Sequence, residues 1–374
     1  MKLSCSQKGL SQGLAVVGHA ASTKAVLPIT SHILLVADES RLRLTATNLE
    51  TTIVHWIDAE IEEPGTVTVP ARLFAEFVKH LPNAHIVFAT PKPLTLGLHC
   101  INFKATMNGL DPEDFPPVPA VEESPTAQVN PETLRQAIGQ VAFAAASDET
   151  RPVLAGVYTK FDGDQMTLAA ANGFRLAVRQ LPLEKAVDEM IEAIVPAKTY
   201  FELGRLLSEQ EGPVDITVTK GQILFQLRDT ILMSQLIQGP FPDVQKLIPE
   251  TFASTVLVDA EEFRGVTRAA AIFARESNQL IRVQVEPGAD SVPGRVSVLA
   301  RDDEIGDNQG DIEAVVSGDA AKIAFNSKYL TDVLNVISTG QLCLQTNSPS
   351  SPGVFRQAGD ESYVHVIMPV YVQW

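Results

Sequence analysis

Apolar residues along this chain change period in an order that is repeated three times. Each round opens at helical spacing, as in Leu134, Ile138, Val141 and Ala142, where side chains three and four apart share a face. The spacing predicts helices over 7–19, 131–145 and 260–275. Asn130 supplies a cap with Pro131 at the first helical position, and Asp259 can cap the third of these helices. Alternation of apolar and polar residues then predicts paired strands at 32–36 and 42–46, at 156–161 and 166–170, and at 280–285 and 295–300. Asp162-Gly163, between the second pair, is a strong hairpin signal. A second helix follows in each round, over 71–81, 197–208 and 327–337, with a cation two places after Pro70, Pro196 and Asn326.

Two rounds close on related words, Asp114-Phe115-Pro116 and Phe241-Pro242-Asp243, and Pro-rich stretches at 116–125 and 249–254 read as linkers. One matching word could arise by chance. Six helices in the same alternating order predict instead an α+β protein of three tandem repeats, 1–122, 127–250 and 253–374.

A length of 374 residues agrees with two or three domains, and no apolar run approaches the roughly 18 residues of a membrane span. The N-terminus alternates like a strand and has no apolar signal region. Cys5, Cys100 and Cys343 fit neither a disulfide framework nor a zinc site, which leads us to expect a cytoplasmic protein. The net charge of −16 argues at first against a nucleic-acid partner. Its distribution changes that picture. The six predicted helices hold 10 basic and 6 acidic residues, and the rest of the chain holds 19 and 39. Basic helices in an acidic scaffold suit a protein whose helices face a polyanion, although helices also carry Lys and Arg simply to face water.

Residues that could carry a reaction are few. No phosphate-binding loop, dinucleotide fingerprint, nucleophile elbow or zinc-protease motif occurs. His80 and His85 flank a turn at Leu81-Pro82 and not a ligand helix, so we expect neither a metal nor a cofactor. Asp302, Asp303 and Glu304 form the one carboxylate run that could hold a nuclease metal, but an exposed acidic loop accounts for it as well.

Several words resemble the bacterial DNA polymerase III β subunit family, the sliding clamps, and run in order along the whole chain. They are 25–29 (AVLPI), 69–72 (VPAR), 151–157 (RPVLAGV), 172–177 (NGFRLA), 239–243 (GPFPD) and 366–369 (VIMP). The resemblance implies three clamp domains and a non-catalytic, head-to-tail homodimer. Its helices would line a ring around duplex DNA, with antiparallel sheets outside. Twelve helices about 9 Å apart give a circle about 34 Å across at the axes. Removing a helix diameter of about 10 Å leaves roughly 24 Å, enough for a hydrated duplex. Enclosure then replaces base contacts, and attraction to the backbone can be weak and sequence-independent.

By the same resemblance Lys24, Arg72, Arg151 and Lys198 are expected at DNA. A groove between the second and third domains is expected to take a short apolar peptide of the polymerase III alpha subunit, the clamp-loader delta subunit and other partners. Its expected wall is Leu154, Gly173, Phe174, Arg175, Leu176, Pro242, Lys246, Leu247, Val366, Ile367, Met368, Pro369 and Val370. The dimer seam is expected to bring Phe103 and Ala105 to Ile272 and Phe273, with Asp302, Asp303 and Glu304 as an acidic rim. Ala105 offers little apolar area, so this seam is expected to be loose.

The chain departs from the family where Asn172 and Phe174 replace a common Asp and His, where Lys246 replaces Arg, and in its aromatic tail Tyr371-Val372-Gln373-Trp374. Two other readings compete with the clamp: a tripled interaction scaffold that does not encircle DNA, and a metal-dependent nuclease.

Overall fold

The computed structural model describes residues 1–374 except 23–26, 39, 119–123, 149, 277, 290–291 and 303. Among the described residues it contains the six expected helices: α1 (Gln7–Val17), α2 (Ala71–Lys79), α3 (Pro131–Val141), α4 (Ala197–Leu206), α5 (Ala260–Glu276) and α6 (Ser327–Val336). Their starts follow from local chemistry. Ser6, Asn130, Asp259 and Asn326 each turn a side-chain oxygen back onto N–H groups of the first turn that the helix leaves without partners. α1, α3 and α4 end in short 3-10 turns, Gly18–Ala20, Ala142–Ala144 and Leu207–Glu209, so the predicted helices run slightly longer than the α-helical ones. Each buries one stripe. Leu10, Leu14 and Val17 of α1 and Phe74 and Val78 of α2 lie in the core, as do Phe263, Ala270 and Ala274 of α5 and Leu330, Val333 and Leu334 of α6.

The chain folds as two compact units that do not follow the repeats: 1–135 with 183–187 and 198–236, and 136–182 with 188–197 and 237–374. The reason lies in the sheets. In the first unit an eight-stranded sheet passes from the first repeat into the second, where Thr51–Asp58 pairs antiparallel with Thr230–Gln235. In the second unit a twelve-stranded sheet passes from the second repeat into the third, where Arg175–Pro182 pairs with Tyr363–Ile367. Backbone hydrogen bonds run through these junctions as they do within a sheet, so neither junction is a place where packing stops.

One rule covers both. The strand that follows the hairpin of one repeat pairs with the last strand of the next. Two strands are left over. Phe103–Asn108, the last strand of the first repeat, is paired on one side only among the described residues. In the third repeat Gly306–Gly318 bends between sheets, its first part pairing with Gly294–Asp302 and its end with Ser254–Asp259. The outer edge of that first part is open among the described residues.

Candidate functional site

Where the peptide groove is expected, the second unit carries a buried apolar cluster at the crossing of its sheet from the second repeat to the third. Leu154, Leu176, Val178, Val354, Val364 and Val366 are buried side by side, with Val153, Tyr158, Phe241, Val244 and Ile248 packed against them. Alternation along two neighbouring strands builds this surface, because Leu176 and Val178 lie opposite Val366 and Val364. Pro242, Leu247, Met368 and Val370 are exposed beside it, and Pro369 is half-buried. Lys246 points to water and pairs with Asp243 at 3.0 Å, which holds the Asp243 carboxyl below the usual carboxylate range.

At one end stands the turn 172–174. The Asn172 Oδ1 accepts the N–H groups of Phe174 and Arg175 at 3.0 and 3.1 Å, and its Nδ2 donates to the Tyr329 hydroxyl at 3.3 Å. Gly173 adopts a φ of +90°, and a methyl group there would meet the Arg151 guanidinium at 2.8 Å. Phe174 projects with 58% of its surface exposed, while its carbonyl accepts the Met368 N–H at 2.8 Å.

The same alternation turns two expected members of the wall away from this cluster. Arg175 and Ile367 lie on the opposite face of their strands from Leu176 and Val366, toward the helices. Only 7% of Arg175 is exposed. Its guanidinium bonds the Asp332 carboxylate at 2.6 Å and the Phe143 carbonyl, and lies between the rings of Phe143 and Tyr329. Below it His365 is fully buried, stacked on Phe143 and beside the Tyr363 hydroxyl. Burial first, and the Arg175 charge second, hold the His365 imidazole down to about 3, so it is neutral. Sequence reasoning missed this group. The buried run Tyr363-Val364-His365-Val366-Ile367 was the available signal, since a histidine there must find partners without water.

Among the cations expected at DNA, Lys24 lies outside the described residues. Arg72 and Lys198 are exposed in the first turns of α2 and α4. Lys8, Lys79 and Lys328 are exposed helix cations as well, and none of these five has a carboxylate within ion-pair distance among the described residues. The helix cations Arg135 and Arg205 do pair, each with the glutamate three places before it, and among strand cations Lys2, Arg41, Lys160, Arg179 and Arg295 pair with carboxylates. Arg151 is exposed but engaged, because its guanidinium donates to the Asn172 carbonyl at 3.2 Å and so braces the groove turn.

The expected seam residues stand on or near the two open strand edges. Phe103 is exposed and Ala105 half-buried on the edge strand of the first repeat. On α5 Ile272 is 64% exposed and Phe273 half-buried. The acidic run is a hairpin turn: the Asp302 carboxylate accepts the N–H groups of Glu304 and Ile305, Glu304 is exposed, and Asp303 lies outside the described residues.

Comparison with known proteins identifies the family and the fold. The N-terminal, central and C-terminal domains of the DNA polymerase III beta subunit match residues 1–119, 128–243 and 245–371. The chain is 29% identical to the beta sliding clamp of Bacillus subtilis over 383 residues, and 31% identical to that of Synechocystis over 391, covering 99% of each chain. Its fold superposes along the full length on the Bacillus subtilis DNA polymerase sliding clamp with a TM-score of 0.95 at 27% identity. It superposes equally completely on the Pseudomonas aeruginosa clamp bound to griselimycin, with a TM-score of 0.91 at 29% identity. With all three domains matched in order and the relatives covered end to end, the chain belongs to the DNA polymerase III beta subunit family and is a non-catalytic sliding clamp of DNA replication.

Proposed function

We propose that two of these chains close head to tail into a ring that encircles duplex DNA, each contributing repeats bounded at 1–122, 127–250 and 253–374. The pairing rule is the observation that carries this reading. Within one chain the strands that follow the hairpins of the first and second repeats find the last strand of the next repeat, and the two edges left open are complementary in kind. A second chain supplies what each open edge lacks, and closure with two-fold symmetry leaves none exposed.

The internal register extends to that seam. Counted from the helix caps, Val54, Val178 and Gln309 take the same place in their sheets, as do Lys104, Ile231 and Val364. Val54 faces Ile231 and Val178 faces Val364, which supports pairing Gln309 of one chain with Lys104 of the other. Phe103 then meets Gly310, which lies against Val266 of α5, and reaches toward Ile272 and Phe273.

Helix cations without carboxylate partners support Arg72 and Lys198, and Lys24 by resemblance, as backbone contacts to DNA. The groove supports docking of the polymerase III alpha subunit, the clamp-loader delta subunit and other proteins through a short apolar peptide, at the nucleoid in the cytoplasm. Griselimycin, bound by the Pseudomonas aeruginosa relative, offers a ligand to try in competition with such a peptide.

Loading onto nicked circular DNA, followed by linearisation, tests the ring. The protein should stay on the circle and leave through free ends. Retention on linear DNA with unblocked ends would overturn the topological mechanism, and failure to load at all would favour a scaffold.

A further inference from the structure

The third repeat holds a second cavity, about 610 Å³, on the side of its sheet away from α5. Arg282, Gln284, Leu299, Asp307, Gln373 and Trp374 line it. The C-terminal tail forms one wall. Leaving the groove at Met368, the tail binds the edge strand through the Val370 N–H and the Ala324 carbonyl at 2.8 Å. It then lays the Trp374 indole beside Lys322, whose Nζ sits 5.7 Å from the ring centroid.

Two observations make this more than a crease. Arg282 is half-buried, yet its guanidinium makes no hydrogen bond or ion pair with any described residue. A cation partly withdrawn from water without an anion is unfavourable, and a carboxylate placed on it would relieve that cost. Beside it Leu299 and the indole give an apolar wall, while Gln284 and Gln373 offer amide donors and acceptors. This set matches a peptide side chain pair, one carboxylate and one large apolar group, with amides for the backbone. Arg282 and Arg301 share the cavity with Asp302 and Asp307, a balance that tolerates one added carboxylate at Arg282 but opposes a run of phosphates.

We propose that this cavity is a second docking site, separate from the groove, for an extended peptide carrying a carboxylate side chain next to a large apolar one. The chain contains two tryptophans, Trp56 and Trp374, so the full-length Trp56→Phe protein leaves Trp374 as a local reporter. Acetyl-Glu-Leu-Phe-amide is titrated into it while indole emission is followed. A saturable change is expected. The probe with Gln in place of Glu should bind at least tenfold more weakly to the same protein, and the Arg282→Gln variant should lose the original probe to a similar degree. Absence of a saturable change, equal binding of the Gln probe, or indifference to Arg282→Gln in a folded variant would overturn the proposal. Displacement of the probe by octathymidylate at equal concentration would do so too, and would point to single-stranded nucleic acid instead.

Discussion

Gly173 sits where a side chain is disfavoured by its φ of +90°, and a methyl group there would also have to push aside the end of the flexible Arg151 side chain. Gly173→Ala should therefore cost about 1–3 kcal/mol in the turn, read by thermal melts. Adding Arg151→Ala should recover only part of the loss, because it removes the clash and leaves the backbone strain. His365 gives a pH signature. Its imidazole is neutral in the folded protein down to about 3, whereas an unfolded chain takes up the proton near 6.5. Its contribution is intact above pH 6.5 and is lost as pH falls toward 3, by about 1.4 kcal/mol per unit. Melts at pH 7, 6 and 5 should show a steeper loss for the wild type than for His365→Phe. At this scale the sequence was a partial guide. Leu154, Leu176 and Val366 share one apolar cluster while Arg175 and Ile367 face the other side of the sheet, because facing depends on the strand register and not on the residue type.

Among elements, α6 is the one fastened most directly to the groove turn. Tyr329 receives a hydrogen bond from Asn172, and Asp332 accepts from Arg175. Arg175→Ala leaves Asp332 and the Phe143 carbonyl without their donor, and should cost about 3 kcal/mol or more. Arg175→Lys keeps the charge but cannot bond both acceptors while stacked between two rings, so it should recover only part of this. Hydrogen exchange is expected to rise in α6 and in 172–176 together in the Ala variant; a rise confined to the turn would argue against the linkage. The six helices were legible because caps and apolar spacing are local properties. The staple beneath the groove was not, since it joins residues 143, 175, 329, 332 and 365 that only the sheet brings together.

For the whole molecule, the proposed register places Lys104 opposite Gln309 and diagonal to Asp307 and Asp311 on the exposed face of the seam. Lys104→Glu should weaken the dimer at least tenfold, and added salt should weaken the wild-type seam but spare the variant. Sedimentation across nanomolar concentrations reads both, and a tight wild-type dimer there would also refute the looseness expected from Ala105. The tripled grammar and the basic helices were visible in the bare sequence. The pairing that ties repeat to repeat was not, because Thr51–Asp58 and Thr230–Gln235 lie far apart along the chain and no short motif announces their union.

That pairing also sets a valence. Each repeat offers one socket and one plug, and fusing three repeats into a chain satisfies two of each internally. What remains is a building block with a single socket and a single plug, which can only add head to tail. Such a block closes when the turn per repeat divides the circle, and otherwise grows into a filament. In the proposed two-chain ring, three repeats per chain would leave two places, and no more, where it can part without breaking a covalent bond.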